Sequence, residues 1–117
     1  MTPDQVEQLL NRPNLSQTKR GFFYELEENF TLLGSALVWI LTDSLKTPME
    51  LYVLSSFLFV PRPAKPPDFP QGSYEIEKGE LTYEIDASYV IRITANQPGT
   101  AEEQLRQKLL NFNKESN

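Results

Sequence analysis

Apolar positions recur along this chain with three different periods, and each period predicts a different kind of element. From Tyr74 to Ile85 the alternation is strict: Tyr74, Ile76, Leu81, Tyr83 and Ile85 interleave with Glu75, Glu77, Glu80, Thr82 and Glu84. A period of two sends one set to each face of a strand. Lys78-Gly79 supplies the turn, so the segment predicts a hairpin with one dry face and one wet, acidic face. A second turn at Asp86-Ala87-Ser88 leads into Tyr89, Ile91 and Ile93, which are expected to continue the same sheet until Gln97-Pro98-Gly99 stops it.

Upstream the alternation disappears. Ala36 to Leu41 and Leu51 to Val60 are nearly unbroken apolar runs rich in aromatic and branched residues, separated by the polar loop Asp43 to Pro48. Such runs predict strands, paired antiparallel across that loop, with both faces covered. A helix on one face and a helix, a loop or a partner on the other is the implied arrangement.

The ends follow a helical period. Thr2-Pro3-Asp4-Gln5 offers a capping threonine, a proline suited to the first turn and a glutamine that can return the hydrogen bond. Val6, Leu9 and Leu10 then form a narrow stripe before Pro13. Thr100-Ala101-Glu102-Glu103 repeats the capping logic, and Leu105, Leu109 and Phe112 share one face of a closing helix. Residues 22–33 carry two periods at once: Phe22, Tyr24 and Leu26 alternate like a strand, while Phe22, Leu26, Phe30, Leu33 and Leu37 recur like a helix. Because Gly34-Ser35 interrupts the helical pattern, the favoured reading is a strand from Gly21 to Glu27, a turn, and a strand from Ala36 to Thr42. A helix over Phe23 to Leu33 remains the alternative.

These elements predict one α+β domain over residues 1–117. An antiparallel sheet of about five strands is flanked by short N-terminal and C-terminal amphipathic helices, with a proline-rich crossover at residues 61–72 and a frayed tail at 113–117. A chain of 117 residues is the size of one ordinary domain.

Composition then removes most chemistry. The chain has no histidine and no cysteine, so the usual nucleophile–base pairs and soft-metal sites have no members. Ser35, Ser44, Ser55 and Ser56 lack a histidine partner, and isolated Gly34 and Gly79 form no phosphate loop or dinucleotide fingerprint. Two acidic clusters stand out: Glu25, Glu27 and Glu28, and then Glu75, Glu77, Glu80, Glu84 and Asp86. On alternating strands they point at water, and nothing matches the ligand spacing of a calcium loop. No enzyme activity, cofactor or metal is expected.

The net charge of -5, with 11 basic residues scattered along the chain, disfavours nucleic acid, which requires clustered Lys and Arg. Membrane insertion is also not expected, because neither apolar run approaches the roughly 20 residues of a spanning helix. No basic start followed by an apolar stretch resembles a signal peptide, so cytoplasmic residence is the default expectation.

What remains points to surfaces. Pro61-Arg62-Pro63-Ala64-Lys65-Pro66-Pro67-Asp68-Phe69-Pro70 holds five of the nine prolines, which favours an extended polyproline II conformation. Pro63-Ala64-Lys65-Pro66 fits the P-x-x-P docking pattern, although a stiff connector that blocks a sheet edge explains the same residues. Phe69 is expected to pack back on the domain. Trp39, Tyr52, Phe57 and Phe59 are the aromatic mass of the sheet, and two modest helices would not cover both of its faces. The candidate binding residues are therefore Trp39, Tyr52, Phe57, Phe59, Pro63, Pro66 and Phe69.

The leading reading is a non-enzymatic protein-interaction module, an adaptor, assembly factor or small chaperone. It would bind a protein partner, or form a homodimer, through an apolar sheet face or a strand edge. A small-molecule pocket between sheet and helix is the alternative. A third reading is an acidic regulator of a basic partner.

Overall fold

Both terminal helices start where the capping residues place them. In a computed structural model, which describes residues 1–54 and 58–112, α1 spans Pro3–Asn11 with the Thr2 side chain and Gln5 forming a reciprocal capping box. The last helix, α3, spans Ala101–Leu110 with the same box between Thr100 and Glu103. The tail, residues 113–117, lies outside the described residues.

The segment with two periods is a helix, α2, Lys19–Leu33, and the favoured strand from Gly21 to Glu27 is corrected accordingly. The Thr18 hydroxyl accepts the Gly21 N–H at 3.1 Å and starts it. Phe22 and Leu26, one turn apart, are fully buried, whereas Tyr24, which a strand would set on the same face, is exposed. Gly34 does not interrupt this helix but ends it: its φ of 74° is left-handed and its N–H bonds back to the Phe30 carbonyl, a conformation that glycine adopts without penalty.

Among the described residues, six strands form two three-stranded antiparallel sheets rather than one sheet of about five. In the first, β1 (Ser35–Thr42) runs between β2 (Pro48–Val53) and β6 (Val90–Thr94). Val38 stands opposite Val53 on one side and Ile91 on the other. With Ala36, Ile40, Leu51 and Ile93 these residues make the face buried under all three helices, where Leu10, Phe22, Leu26, Leu105 and Leu109 meet them.

The second sheet is β3 (Leu58–Arg62), β4 (Ser73–Lys78) and β5 (Leu81–Asp86) in that order. Ile76 and Ile85 of this sheet join Leu54 in a smaller core against Leu37, Trp39 and Val90, which point from the opposite face of the first sheet. This explains the unbroken apolar run of β1: helices cover one face and a second sheet covers the other. It also explains why β6 does not continue the hairpin. The Asp86 side chain accepts the Ser88 N–H, and a single 3-10 turn, Ala87–Tyr89, redirects the chain to the open side of β1.

The proline-rich segment is not a crossover. Pro61 and Arg62 belong to β3, and the residues after them return the chain to β4, its antiparallel neighbour. The segment is not an extended polyproline II helix either: Lys65 and Phe69 exchange backbone hydrogen bonds of 2.8 and 2.9 Å, and the Gly72 N–H donates to the Phe69 carbonyl at 3.0 Å. At Gly72, φ is 92° and a Cβ would sit 2.8 Å from the Arg62 carbonyl oxygen, so the return requires glycine.

Candidate functional site

Cross-strand register sorts the second sheet into two faces, because directly opposed residues share a side. Phe59, Ile76 and Tyr83 form one row of the inner face, and Pro61, Tyr74 and Ile85 form the next. The first sheet covers only part of this face. Ile76 and Ile85 are 3% and 8% exposed, but Phe59, Tyr83 and Leu81 keep 40%, 47% and 60% of their surface in water. An apolar rim therefore projects beyond the sheet–sheet junction towards the β4–β5 turn.

On the outer face lie Glu75, Glu77 and Glu84, in line with Val60 and Thr82. Arg62 pairs with Glu75 at 3.0 Å, and the Ser73 hydroxyl donates to Glu84 at 2.9 Å. Glu77 and Glu84 are exposed, so these carboxylates form a solvated wall rather than a buried acid–base pair. Among the described residues, no group of three or more carboxylates converges to hold a metal ion.

Beside the inner face, an open cleft of about 500 Å³ lies between the start of β1 and the edge strand β3. Leu33, Leu37, Leu54, Phe59, Pro61 and Tyr74 make its apolar walls, and Asn29, Ser35 and Arg92 bring polar atoms to it. Phe59 meets Tyr74 edge-to-face at 6.1 Å between ring centres. By contrast, the interface between α3 and the first sheet, where the sequence placed a ligand pocket, is filled: Ala101, Leu105 and Leu109 are fully buried there.

The sequence candidates divide between these regions. Trp39 and Tyr52 stack across β1 and β2 with ring centres 5.6 Å apart, and Trp39, half-buried, packs into the smaller core. The Tyr52 hydroxyl donates to Glu50 at 2.9 Å. Burial, with that hydrogen bond and the Glu50 charge adding to it, raises its pKa above the usual 10.0. Phe59 lies at the cleft and on the rim. Pro63 and Pro66 are exposed in the β3–β4 loop and take no part in the cleft, and Phe69 is half-buried there. Phe57 lies outside the described residues. Leu81, Tyr83 and Arg92 were not among the candidates. The alternation places Leu81 and Tyr83 on the dry face, but only the three-dimensional offset of the two sheets leaves them uncovered.

No protein-family model matches the chain, and no curated protein matches it in sequence. In fold it is similar to a chain in a solved structure of the neck of an empty GTA particle, computed with C6 symmetry, with a TM-score of 0.58 and 23% identity. The likeness covers 83% of this chain and 27% of the other, so this chain spans about a quarter of that neighbour's length. At that identity the likeness establishes a shared α+β fold. Among the described residues, no helix is long and apolar enough to cross a membrane.

Proposed function

We propose that this protein is a non-enzymatic interaction module that takes part in assembling a larger protein complex, docking a partner on the uncovered inner face of its second sheet. One observation carries the reading: Phe59, Leu81 and Tyr83 each keep at least 40% of their surface in water at the rim of a sheet face on which Ile76 and Ile85 are buried. Large apolar side chains grouped at one edge of a core mark interaction surfaces more often than single exposed ones do. The neck likeness, in a particle computed with C6 symmetry, supports an assembly role, and the absence of histidine and cysteine supports one without catalysis.

The test is native mass. The chain weighs 13.5 kDa, and the tagged protein isolated from its own cells should elute in a heavier, defined complex. The double variant Leu81→Ser, Tyr83→Ser, folded by circular dichroism, should elute as the bare chain. A wild type that stays at the mass of one chain at every concentration, with nothing retained, would sink the reading.

A second reading, small-molecule binding, is supported by the cleft of about 500 Å³ with Arg92 at its wall, a volume within the range of ligand sites. An acidic ligand that raises the melting temperature of the wild type and not of Arg92→Ala would favour it.

A further inference from the structure

Strand edges carry unpaired N–H and C=O groups that invite another strand, and proteins cover or blunt them. The two sheets have four edges: β2, β6, β3 and β5. At β2, the outward N–H of Leu51 donates to the Pro13 carbonyl at 2.6 Å and its C=O accepts from the Asn14 amide at 2.8 Å. At β6, the Gln104 amide takes both the N–H and the C=O of Thr94, at 3.1 and 2.9 Å, and Lys108 takes the Arg92 carbonyl at 2.8 Å.

The remaining edges follow from the ladder alternation. The Ala87 N–H donates to the Gly72 carbonyl at 3.0 Å, which makes Ser73 and Asp86 a non-hydrogen-bonded pair between β4 and β5. Counting in steps of two, Glu75–Glu84 and Glu77–Thr82 are non-bonded pairs too, so Thr82 and Glu84 turn their N–H and C=O groups outwards from β5. The same count turns Ser73 towards β3, pairs it with Arg62, and leaves Pro61 facing outwards. Phe59 faces outwards by the same count, but proline has no N–H to offer, so the β3 edge is interrupted at Pro61 and blunted there. Among the described residues, no hydrogen bond reaches the backbone of Thr82 or Glu84, and no proline interrupts the strand.

We propose that the β5 edge accepts an extended segment of a partner protein in which apolar and basic side chains alternate. The inference rests on the interaction role above and names its mode. A strand added to β5 continues both faces of the sheet. Its side chains on one face lie beside Leu81 and Tyr83, and those on the other lie beside Thr82 and Glu84, with Glu75 and Glu77 one strand further in, where Lys or Arg gains and Glu or Asp is repelled. A second copy of this chain fits worse. Antiparallel pairing of two β5 strands would merge the Glu75, Glu77 and Glu84 faces of two chains, each of net charge -5.

The probe is a synthetic eight-residue peptide of alternating valine and lysine, blocked at both ends and followed by fluorescence anisotropy on the full chain. The expected result is saturable binding, at least about tenfold weaker for the glutamate–valine peptide and for a valine–lysine peptide N-methylated on the alternate amides that face β5. Thr82→Pro removes an outward N–H at a position type that Pro61 already occupies on the opposite edge, so it should fold and lose the peptide. The N-methylated peptide gives the same answer without any variant. Failure of the valine–lysine peptide to bind overturns the proposal, and so does binding indifferent to both N-methylation and Thr82→Pro. A wild-type dimer that Thr82→Pro dissolves overturns it in favour of a second copy. If the Leu81→Ser, Tyr83→Ser variant loses the cellular complex while Thr82→Pro keeps it, the edge inference fails and the interaction role stands. If both variants keep the complex, both fail.

Discussion

A few polar side chains in this protein have consequences out of proportion to their number. Gln104 is buried at 6% exposure and its amide bonds both backbone groups of Thr94 and the carbonyls of Gln97 and Gly99. Gln104→Leu keeps the shape but leaves those groups unpaired, and should cost about 1–3 kcal/mol in urea unfolding. A loss within about 0.5 kcal/mol would mean that water replaces the amide. Tyr52 offers a second reading at this scale. Its raised pKa, caused first by burial and then by the bond to Glu50 and its charge, means that the folded state holds the phenolic proton more tightly than the unfolded chain. The stability linked to that proton is therefore whole below about pH 10 and is lost as the pH rises from there through the folded-state value. Phenolate absorbance should show Tyr52 ionising above 10.0, and Glu50→Gln should move it down without abolishing the shift, because burial remains. A Tyr52→Phe protein whose alkaline loss of stability matches the wild type would contradict this.

At the level of elements, α2 shows what patterning decides and what it leaves open. Phe22, Tyr24 and Leu26 support a strand as well as Phe22, Leu26 and Phe30 support a helix, and a local window cannot choose between them. The deciding signals were at the ends, in the Thr18 cap and the left-handed Gly34. The two readings differ in a measurable way. A strand buries Phe22 and Tyr24 together, whereas the helix leaves Tyr24 71% exposed. Phe22→Ala should therefore cost about 3–5 kcal/mol, and Tyr24→Ala should stay within about 0.5 kcal/mol, both read from denaturant midpoints. Comparable losses would argue for the strand. The capped helices and the β4–β5 hairpin were legible because each rests on local rules. The partition into two sheets was not, because nothing within Tyr89, Ile91 and Ile93 says which of two distant strands they will pair with. The candidate site was legible to the same degree: Phe59 and the dry face of the hairpin could be read, but the offset that bares Leu81 and Tyr83 belongs to the packing of one sheet on another.

The molecule as a whole is uneven, and the unevenness bears on how it would work. Among the described residues, the helix-covered core contains fifteen buried apolar residues, and the core between the sheets contains three: Leu54, Ile76 and Ile85. An isolated small sheet is marginal in water, so the second sheet depends on its packing against Leu37, Trp39 and Val90. The first sheet, with three helices on its other face, does not depend on it equally. Native-state hydrogen exchange should then divide the backbone, with β1 amides opening only through global unfolding and β4 and β5 amides opening at lower free energy. Ile76→Ala removes one of the three small-core residues. It should lower protection in β4 and β5 by about 2–5 kcal/mol, up to the limit of their own stability, and leave β1 nearly unchanged. An equal fall in β1 would show a single cooperative unit. The same experiment reads the proposed function: a strand added at β5 pairs Thr82 and Glu84 and covers Leu81 and Tyr83, so saturating valine–lysine peptide should raise protection in β4 and β5 selectively. On the proposed function, the sheet with the smaller core is the one that a partner would complete, and the helix-covered core would be the platform that holds it in place.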